Sequence, residues 1–243
     1  YDLIGYLLSC FLLKRFSERD LKYLNFIILS QIDKLGMHKS YNILEHAKFV
    51  NNLNEIKNIL LFFKVKVSKN IDDTYVKMTS ILNEYFHDDG SIPLFNGSNN
   101  NYTKSISNSL NKEEYLRSRR YEDNINGIAF YKDKGKKIFF DVVRPNKDKI
   151  STNLNAGTLS FEFSSLGEKI ITNCGASESF GKNPEYLRYS AAHSTIILQN
   201  TNISEIRENN PHIKFPQEVK FNLFSKNNST IFEGSHNGYM KKF

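Results

Sequence analysis

The sequence predicts an α+β fold in which a helical first part is followed by an antiparallel β part. Apolar residues recur at helical spacing up to about residue 86, whereas from Gly127 onward the apolar period becomes two. Helices first and strands afterwards indicate two segregated layers or domains. Neither alternating βαβ units nor a Gly-rich phosphate loop can be found in the sequence, which disfavours a dinucleotide-binding fold.

Four helices are predicted in the first part. Ser17 and Asp20 form a capping box that begins the second helix, and Gly36 marks its end. The short connections predict that neighbouring helices run antiparallel. The predicted helices are centred on 3–12 and 21–32, and extend from Ile43 to about Phe63 and from about Asp73 to Phe86.

The second part reads as a series of short strands. Leu159, Phe161 and Phe163 alternate with polar residues, which is typical of a strand with one buried face. The turn residues 133–136 lie between two apolar runs and predict a β-hairpin. Strands are predicted at 128–131, 138–143, 158–164, 169–173, 194–199, 219–224 and 230–234.

The composition is that of a globular protein with a sizeable core. Hydrophobic residues make up 40% of the 243 positions, and aromatic residues 13%, which argues against disorder. The two cysteines, Cys10 and Cys174, exclude a disulfide framework and a four-thiolate zinc site. The apolar run Leu3–Leu13 is about half the ~20 residues needed to cross a bilayer, so we expect a buried helix and no membrane span. Because the chain opens at Tyr1 inside this run, we expect an internal piece of a longer protein.

The charge favours an acidic partner. The chain has 33 Lys and Arg against 26 Asp and Glu, a formal net charge of +7. Nucleic acid, anionic lipid and anionic polysaccharide all fit this sign. The predicted strands do not interleave exposed aromatic residues with basic ones, so we expect no nucleic acid partner.

Three motifs follow one another in the β part. A strand contains Leu159-Ser-Phe-Glu162, the next strand ends in Asn173-Cys-Gly175, and a turn reads Arg188-Tyr-Ser-Ala-Ala-His-Ser-Thr195. In this order and spacing they resemble the heparinase II/III-like proteins. Weaker matches to the same family are found in the two segments 89–97 and 235–239.

The resemblance implies a fold and an activity. The expected architecture is the C-terminal part of an (α/α) toroid over residues 1–115, followed by an antiparallel β-sandwich over 116–243. The implied function is that of a polysaccharide lyase, which cleaves an acidic, uronate-containing glycan by β-elimination. A base removes the proton next to the uronate carboxylate, and an acid protonates the leaving oxygen. The alternative is a non-catalytic protein of the same fold that binds anionic glycans or assembles the cell envelope.

The resemblance also suggests catalytic residues. His193 matches the histidine of the family's Ala-Ala-His turn, which commonly ligates a structural zinc or faces the substrate cleft. Residues 36–41 fall where the family carries a substrate-facing loop, so His38 is the expected base and Tyr41 the expected acid. The alternatives are a structural turn for His193 and a polar interhelical loop for the other two residues.

Further residues are expected to bind substrate. Arg188 would suit a uronate carboxylate, although an ion pair with Glu162 or Glu185 is an equally consistent role. The other expected substrate-binding residues are Asn155, Asn173, His236 and Tyr239, the last two with a plain surface loop as the alternative.

No metal or cofactor is expected. Zinc-bearing relatives carry His-x-His-x-Asp before the Leu-Ser-Phe-Glu strand, where this chain has Asn153, Asn155 and Gly157; they also carry an Asp where it has Asn173. Neutral amides are poor zinc ligands. The resemblance further implies a location in the periplasm or cell envelope.

Overall fold

The computed structural model describes residues 3–100, 127–145, 154–177, 185–206, 214–227 and 229–240. The expected boundary near residue 115 lies outside these ranges. Within the described ranges, four helices precede six strands, so the α+β order is confirmed. The helices are α1 Leu3–Leu12, α2 Glu18–Ser30, α3 Ile43–Phe62 and α4 Lys69–Glu84; the strands are β1 Ile128–Asp133, β2 Lys136–Asp141, β3 Phe161–Ser165, β4 Glu168–Ile171, β5 Val219–Lys226 and β6 Ser229–His236. Two short 3₁₀ turns cover Glu185–Arg188 and Ser190–Ala192.

Polar side chains set the beginnings of the helices. The predicted capping box is present, with the Ser17 backbone N–H donating to Asp20 Oδ2 over 2.9 Å. Asn42 caps α3 by accepting from the Glu45 N–H at 3.0 Å. Ser68 caps α4, so this helix begins at Lys69, four residues before the predicted start. The early start was missed because the apolar period becomes visible only after the first turn.

The strands form two antiparallel sheets. One has the order β1-β2-β3-β4, and β5 pairs with β6 in a separate hairpin. The predicted strand over 194–199 is wrong, because only an isolated bridge joins Leu198 to Thr201. Gln199 and Asn200 both have positive φ, at 47° and 55°, which turns the chain sharply. β3 begins at Phe161 rather than at residue 158, after Leu159 at a φ of 60°.

The four-stranded sheet lies between the helices and the β5–β6 hairpin. Phe139 on β2 is fully buried in a core that includes Leu53 of α3 and Ile128 of β1. Its neighbour Phe140 points to the opposite face, because side chains alternate along a strand, and lies 5.2 Å from the Phe221 ring on β5. One large core therefore joins the helices to the sheet, and a second, smaller core joins the two sheets.

Among the described helices, none combines the length with the apolar character that would be needed to span a bilayer. The first helix is buried at Leu7, which is 1% exposed, but Leu8 and Leu12 are 37% and 76% exposed, so the prediction of a buried helix is only partly right.

Candidate functional site

The loop between α2 and α3 carries two of the expected site residues. Its conformation is fixed by a bridge from Ile32 to His38 and by the Tyr41 N–H, which donates to the His38 carbonyl at 2.9 Å. Tyr41 is 4% exposed and has a φ of 51°. A positive φ is costly for a bulky residue and persists only where the surroundings enforce it. The Tyr41 loop is therefore buried and held in one conformation by specific contacts, unlike a surface connection.

Hydrogen bonds to its neighbours set the tautomer of His38. The Ser40 N–H donates to His38 Nδ1 at 3.3 Å, and Ser40 Oγ lies 2.8 Å from the same nitrogen. Nδ1 is thus the acceptor, and the proton of the neutral ring resides on Nε2. Burial lowers the pKa of His38, with Glu45 acting in the opposite direction. The His38 ring is therefore neutral, and its unprotonated nitrogen, Nδ1, already accepts a hydrogen bond from Ser40.

His46, which sequence reasoning assigned to a helix face without a role, supports the same loop. Its Nδ1 accepts the His38 backbone N–H at 3.1 Å, and its Nε2 donates to the Met78 carbonyl at 2.9 Å. Burial lowers the pKa of His46 to about 4. A neutral imidazole is required, because one nitrogen accepts while the other donates.

Asn96 joins this loop to the sheet side, and sequence reasoning missed it. Its Nδ2 donates to the Tyr41 carbonyl at 3.4 Å, and its Oδ1 accepts the Asn155 N–H at 3.3 Å. The carboxylate of Asp141 also accepts from the Asn96 side chain. Burial raises the pKa of Asp141 to about 7, although bonds from Val143 and Asn96 oppose the rise. The Asn96-Gly97 turn was the available signal, but its partners lie 45 to 59 positions away.

His193 packs directly on the backbone at Gly157. A Cβ at position 157 would lie 3.1 Å from His193 Cγ and 3.2 Å from Ser160 Oγ, so the close approach favours glycine. Neither ring nitrogen of His193 makes a hydrogen bond of normal geometry with the described residues. Burial lowers the pKa of His193 to about 4, opposed by Glu162 and by the backbone of Leu187. The ring is neutral and 8% exposed.

The two residues after His193 are hydrogen-bonded to β3 and to the segment that precedes it. Ser194 Oγ donates to the Phe161 carbonyl, and Thr195 Oγ1 donates to the Thr158 carbonyl at 2.8 Å. The Ser194 N–H donates to Asn173 Oδ1 at 2.9 Å. Ser194 and Thr195 therefore have a structural role, because their hydrogen bonds hold the His193 ring against Gly157.

A buried carboxylate organises the other side of Asn173. Glu162 is 0% exposed and accepts from the Asn173 N–H at 3.0 Å, the Asn173 Nδ2 at 3.3 Å and the Leu94 N–H at 2.9 Å. His87 Nε2 lies 3.2 Å from Glu162 Oε2, and His87 Nδ1 lies 2.8 Å from Ser164 Oγ. Burial alone would raise the pKa of Glu162, but the bonds from His87, Asn173 and Leu94 lower it. Sequence reasoning gave His87 no role.

Arg188 is half-buried and contacts the segment that carries Asn155. Its Nη2 donates to the Leu154 carbonyl at 3.2 Å, and its own carbonyl accepts the Ala156 N–H at 2.8 Å. Burial lowers the pKa of Arg188, and Glu185 opposes the shift. The arginine thus braces the segment that carries Asn155.

His236 and Tyr239 lie beside the His193 turn and the loop that follows it. The Tyr239 hydroxyl contacts the carbonyls of Ile196 and Thr201 at 2.9 and 3.1 Å, and its ring centre is 5.7 Å from that of His236. These contacts fix the loop that follows the His193 turn.

The residues at the position of the family's zinc do not fit that metal. The Asn173 amide is used on both sides, because its oxygen accepts from Ser194 and its nitrogen donates to Glu162. Asn155 keeps both amide atoms buried without a partner in the part of the chain that the structure describes, but an amide is a poor zinc ligand. Among the described residues, no group of three His, Cys, Asp or Glu side chains could hold a metal ion. We therefore derive no role for zinc.

The structure thus brings most of the expected residues to one junction between the helices and the sheet. Tyr41 connects through Asn96 to Asn155, while Gly157 connects the same segment to His193. Arg188 and Asn173 border it, and Tyr239 reaches the same turn through a hydrogen bond between its hydroxyl and Ser190.

Comparisons with known proteins agree with this architecture. Residues 124–243 match the family model described as heparinase II/III-like, C-terminal. The structure is similar to that of heparinase III, with a TM-score of 0.62 and 12% identity over 90% of this chain. It is also similar to a mutant of the heparan sulfate lyase HepC from Pedobacter heparinus, with a TM-score of 0.66 and 14% identity over 91% of this chain. No protein of curated function matches the chain in sequence.

The chain spans 40% of the heparinase III structure and 37% of the HepC structure. At these identities the likeness shows the fold, which is a mixed helix and sheet arrangement with antiparallel sheets. With residues 124–243 matched to the family model and the motif turn built as described, this part of the chain is identified as a heparinase II/III-like C-terminal domain.

Proposed function

We propose that this chain is part of a polysaccharide lyase that cleaves an acidic, uronate-containing glycan by β-elimination. The observation that carries the proposal is the junction at which the Tyr41 loop meets the segment of Asn155 and His193 through Asn96 and Gly157. The fold shared with heparinase III and the heparan sulfate lyase supports it. In this proposal the helices belong to an (α/α) toroid over residues 1–115, and the sheets to a β-sandwich over 116–243.

Tyr41 is the proposed acid of the reaction. A phenol held in a buried loop can donate its proton to the leaving glycosidic oxygen. The base must remove a proton next to the uronate carboxylate, and His193 is the better placed imidazole. Its pKa of about 4 keeps it neutral, and neither ring nitrogen is used in a normal hydrogen bond with the described residues.

His38 is proposed to have a supporting role. Its Nδ1 already accepts from Ser40, so it could act only through Nε2, by donating a hydrogen bond to substrate. Arg188 and the amides of Asn155 and Asn173 are the proposed recognition groups on the sheet side. His236 and Tyr239 would contact substrate only if the glycan extended along the 196–201 loop.

The test measures the ultraviolet absorbance of the unsaturated uronate product, with full-length protein and a panel of uronate polymers. Tyr41→Phe and His193→Ala should each reduce the rate by about 100-fold or more. Tyr23→Phe is the matched control, since this exposed tyrosine lies on α2 away from the junction. No product with any polymer from the wild-type protein would reject the lyase proposal.

A second function has its own support. A glycan-binding protein without catalysis, located in the periplasm or cell envelope, would fit the amides that stand at the zinc ligand positions and the burial of His193 at 8% exposure. Saturable binding of an anionic glycan without any unsaturated product would establish this second function.

A further inference from the structure

One buried amide, that of Asn96, connects the two halves of the candidate site. It is 1% exposed, and it contacts the Tyr41 carbonyl on one side and the Asn155 N–H on the other. Its own backbone carbonyl accepts from the side chain of Asn42, the residue that caps α3. A single residue thus contacts the loop, the following helix and the sheet-side segment.

The chemistry of these contacts requires an asparagine. An amide offers one acceptor oxygen and two donor hydrogens. The oxygen accepts from Asn155, and the nitrogen donates to the carbonyl of Tyr41 and to the carboxylate of Asp141. A flipped amide would oppose its oxygen to two other oxygens, so its orientation is fixed. An aspartate here would lose both donors and face a second carboxyl group.

The backbone adds a second, independent observation. Tyr41 and Asn96 both have left-handed φ values, of 51° and 52°, and the amide of one holds the carbonyl of the other. Such conformations persist where neighbouring contacts over-determine them. The Asn96 contact is therefore one of the contacts that hold the Tyr41 loop in place, and the one that joins it to the sheet side.

We propose that Asn96 is a positioning residue, which sets the distance and orientation of Tyr41 relative to Asn155 and the His193 segment. This inference rests on the proposed lyase function, because it is the alignment of the acid with the sheet-side groups that matters for the reaction. Asn96 itself touches neither substrate nor the reacting atoms in this role.

Two variants of the full-length protein separate positioning from mere stability. Asn96→Ala should lower kcat by about 10- to 100-fold while KM changes far less, because a small misplacement of a catalytic group is costly. The exchange Asn96→Asp with Asp141→Asn restores a donor and an acceptor between positions 96 and 141. Compared with Asp141→Asn alone, it should keep its thermal stability but lose kcat, because a carboxylate at position 96 cannot donate to the Tyr41 carbonyl.

The control is Asn25→Ala, which removes a comparable amide bonded to the Leu21 carbonyl and to Ser68. It should lower stability and leave kcat unchanged. If the double exchange keeps kcat together with stability, Asn96 has only a structural role and the proposal is wrong.

Amide hydrogen exchange gives a readout that does not need activity. Asn96→Ala should speed exchange in both 37–44 and 154–160, whereas Asn25→Ala should not. If the wild-type protein cleaves no uronate polymer, the lyase function fails while faster exchange still supports the positioning contact. Unchanged exchange in both segments would reject the contact whatever the activity.

Discussion

Asp141 is a buried acid whose ionisation is linked to stability. It is 3% exposed and accepts from the Val143 N–H at 3.1 Å and from Asn96. Because burial raises its pKa from 3.8 to about 7, the folded chain keeps a proton that the unfolded chain releases over this range. The stability that this residue contributes is complete below about pH 4 and is lost as the pH rises to about 7.

Asp141→Asn should remove this dependence. At pH 8 the variant should gain on the order of 4 kcal/mol in the free energy of unfolding relative to the wild type, and the gain should vanish near pH 4. Urea unfolding at several pH values measures it. The control is Asp133→Asn at the exposed end of β1, which should change the free energy of unfolding by less than about 0.5 kcal/mol. A gain that is independent of pH would contradict the linkage.

Gly157 is the residue that lets His193 approach the backbone. Gly157→Ala would place a methyl group 3.1 Å from the His193 ring and cost about 1–3 kcal/mol of stability. Gly234→Ala is a matched control, because its Cβ would lie 3.0 Å from a Leu159 methyl group, away from the ring. Both variants should lower the melting temperature, but only Gly157→Ala should reduce glycan cleavage or binding. Equal effects of the two variants on the glycan would contradict the role given to this contact.

At the scale of elements, a single side chain ties the end of β4 to the His193 turn. Asn173 accepts from Ser194 and donates to Glu162, which in turn receives the N–H of Leu94 from the helical side. Position 173 can hold an amide but not a carboxylate, because the hydrogen bonds that Glu162 accepts keep Glu162 ionised.

Asn173→Asp should therefore destabilise the fold by about 3–5 kcal/mol at neutral pH, since it opposes two buried carboxylates and removes a donor. Asn222→Asp on the exposed face of β5 should change stability by less than about 0.5 kcal/mol. Chemical unfolding compares the two variants. A small effect at position 173 would mean that the turn is held by Ser194 and Thr195 alone.

The elements that local pattern determines were predictable, and those that distant partners determine were not. The capping box at Ser17 and the four helices follow from spacing and short-range bonds. The prediction of a strand over 194–199 was wrong because the apolar side chains there face outward, with Ile196 at 70% exposure. Apolar composition alone does not show a reversal at positive φ.

The candidate site divides in the same way. The His193 turn could be found from its motif, whereas the Asn96 and Glu162 contacts join residues separated by 55 and 75 positions. A buried asparagine or histidine carries no periodic signal, so its partners become visible only in three dimensions. The roles of His38, Tyr41 and Arg188 in chemistry stay predictions.

At the scale of the whole molecule, the helices and the sheet share one core. Leu53 of α3 and Phe139 of β2 belong to the same buried cluster, and His87 contacts both Glu162 and the Phe139 ring at 4.8 Å. Stability should therefore be a property of the two layers together rather than of each alone.

Phe139→Ala should lower the free energy of unfolding by about 3–5 kcal/mol and should shift the helical and the tyrosine signals together. Circular dichroism reports the helices, and tyrosine fluorescence is usable because the chain has 13 Tyr and no Trp. The control is Phe224→Ala, which alters a ring that is 42% exposed on β5. Two separate transitions would show that the layers unfold independently.

The shared core also limits how such proteins can be recombined. Leu94 on the helical side gives its N–H to Glu162 on the sheet side, and His87 reaches the same carboxylate. A hybrid protein that joined these helices to the sheet of a distant homologue would keep only one of the two partners of each contact. The two halves are therefore expected to evolve by paired substitutions across the junction, and a functional exchange would have to carry His87, Leu94 and Glu162 as one unit.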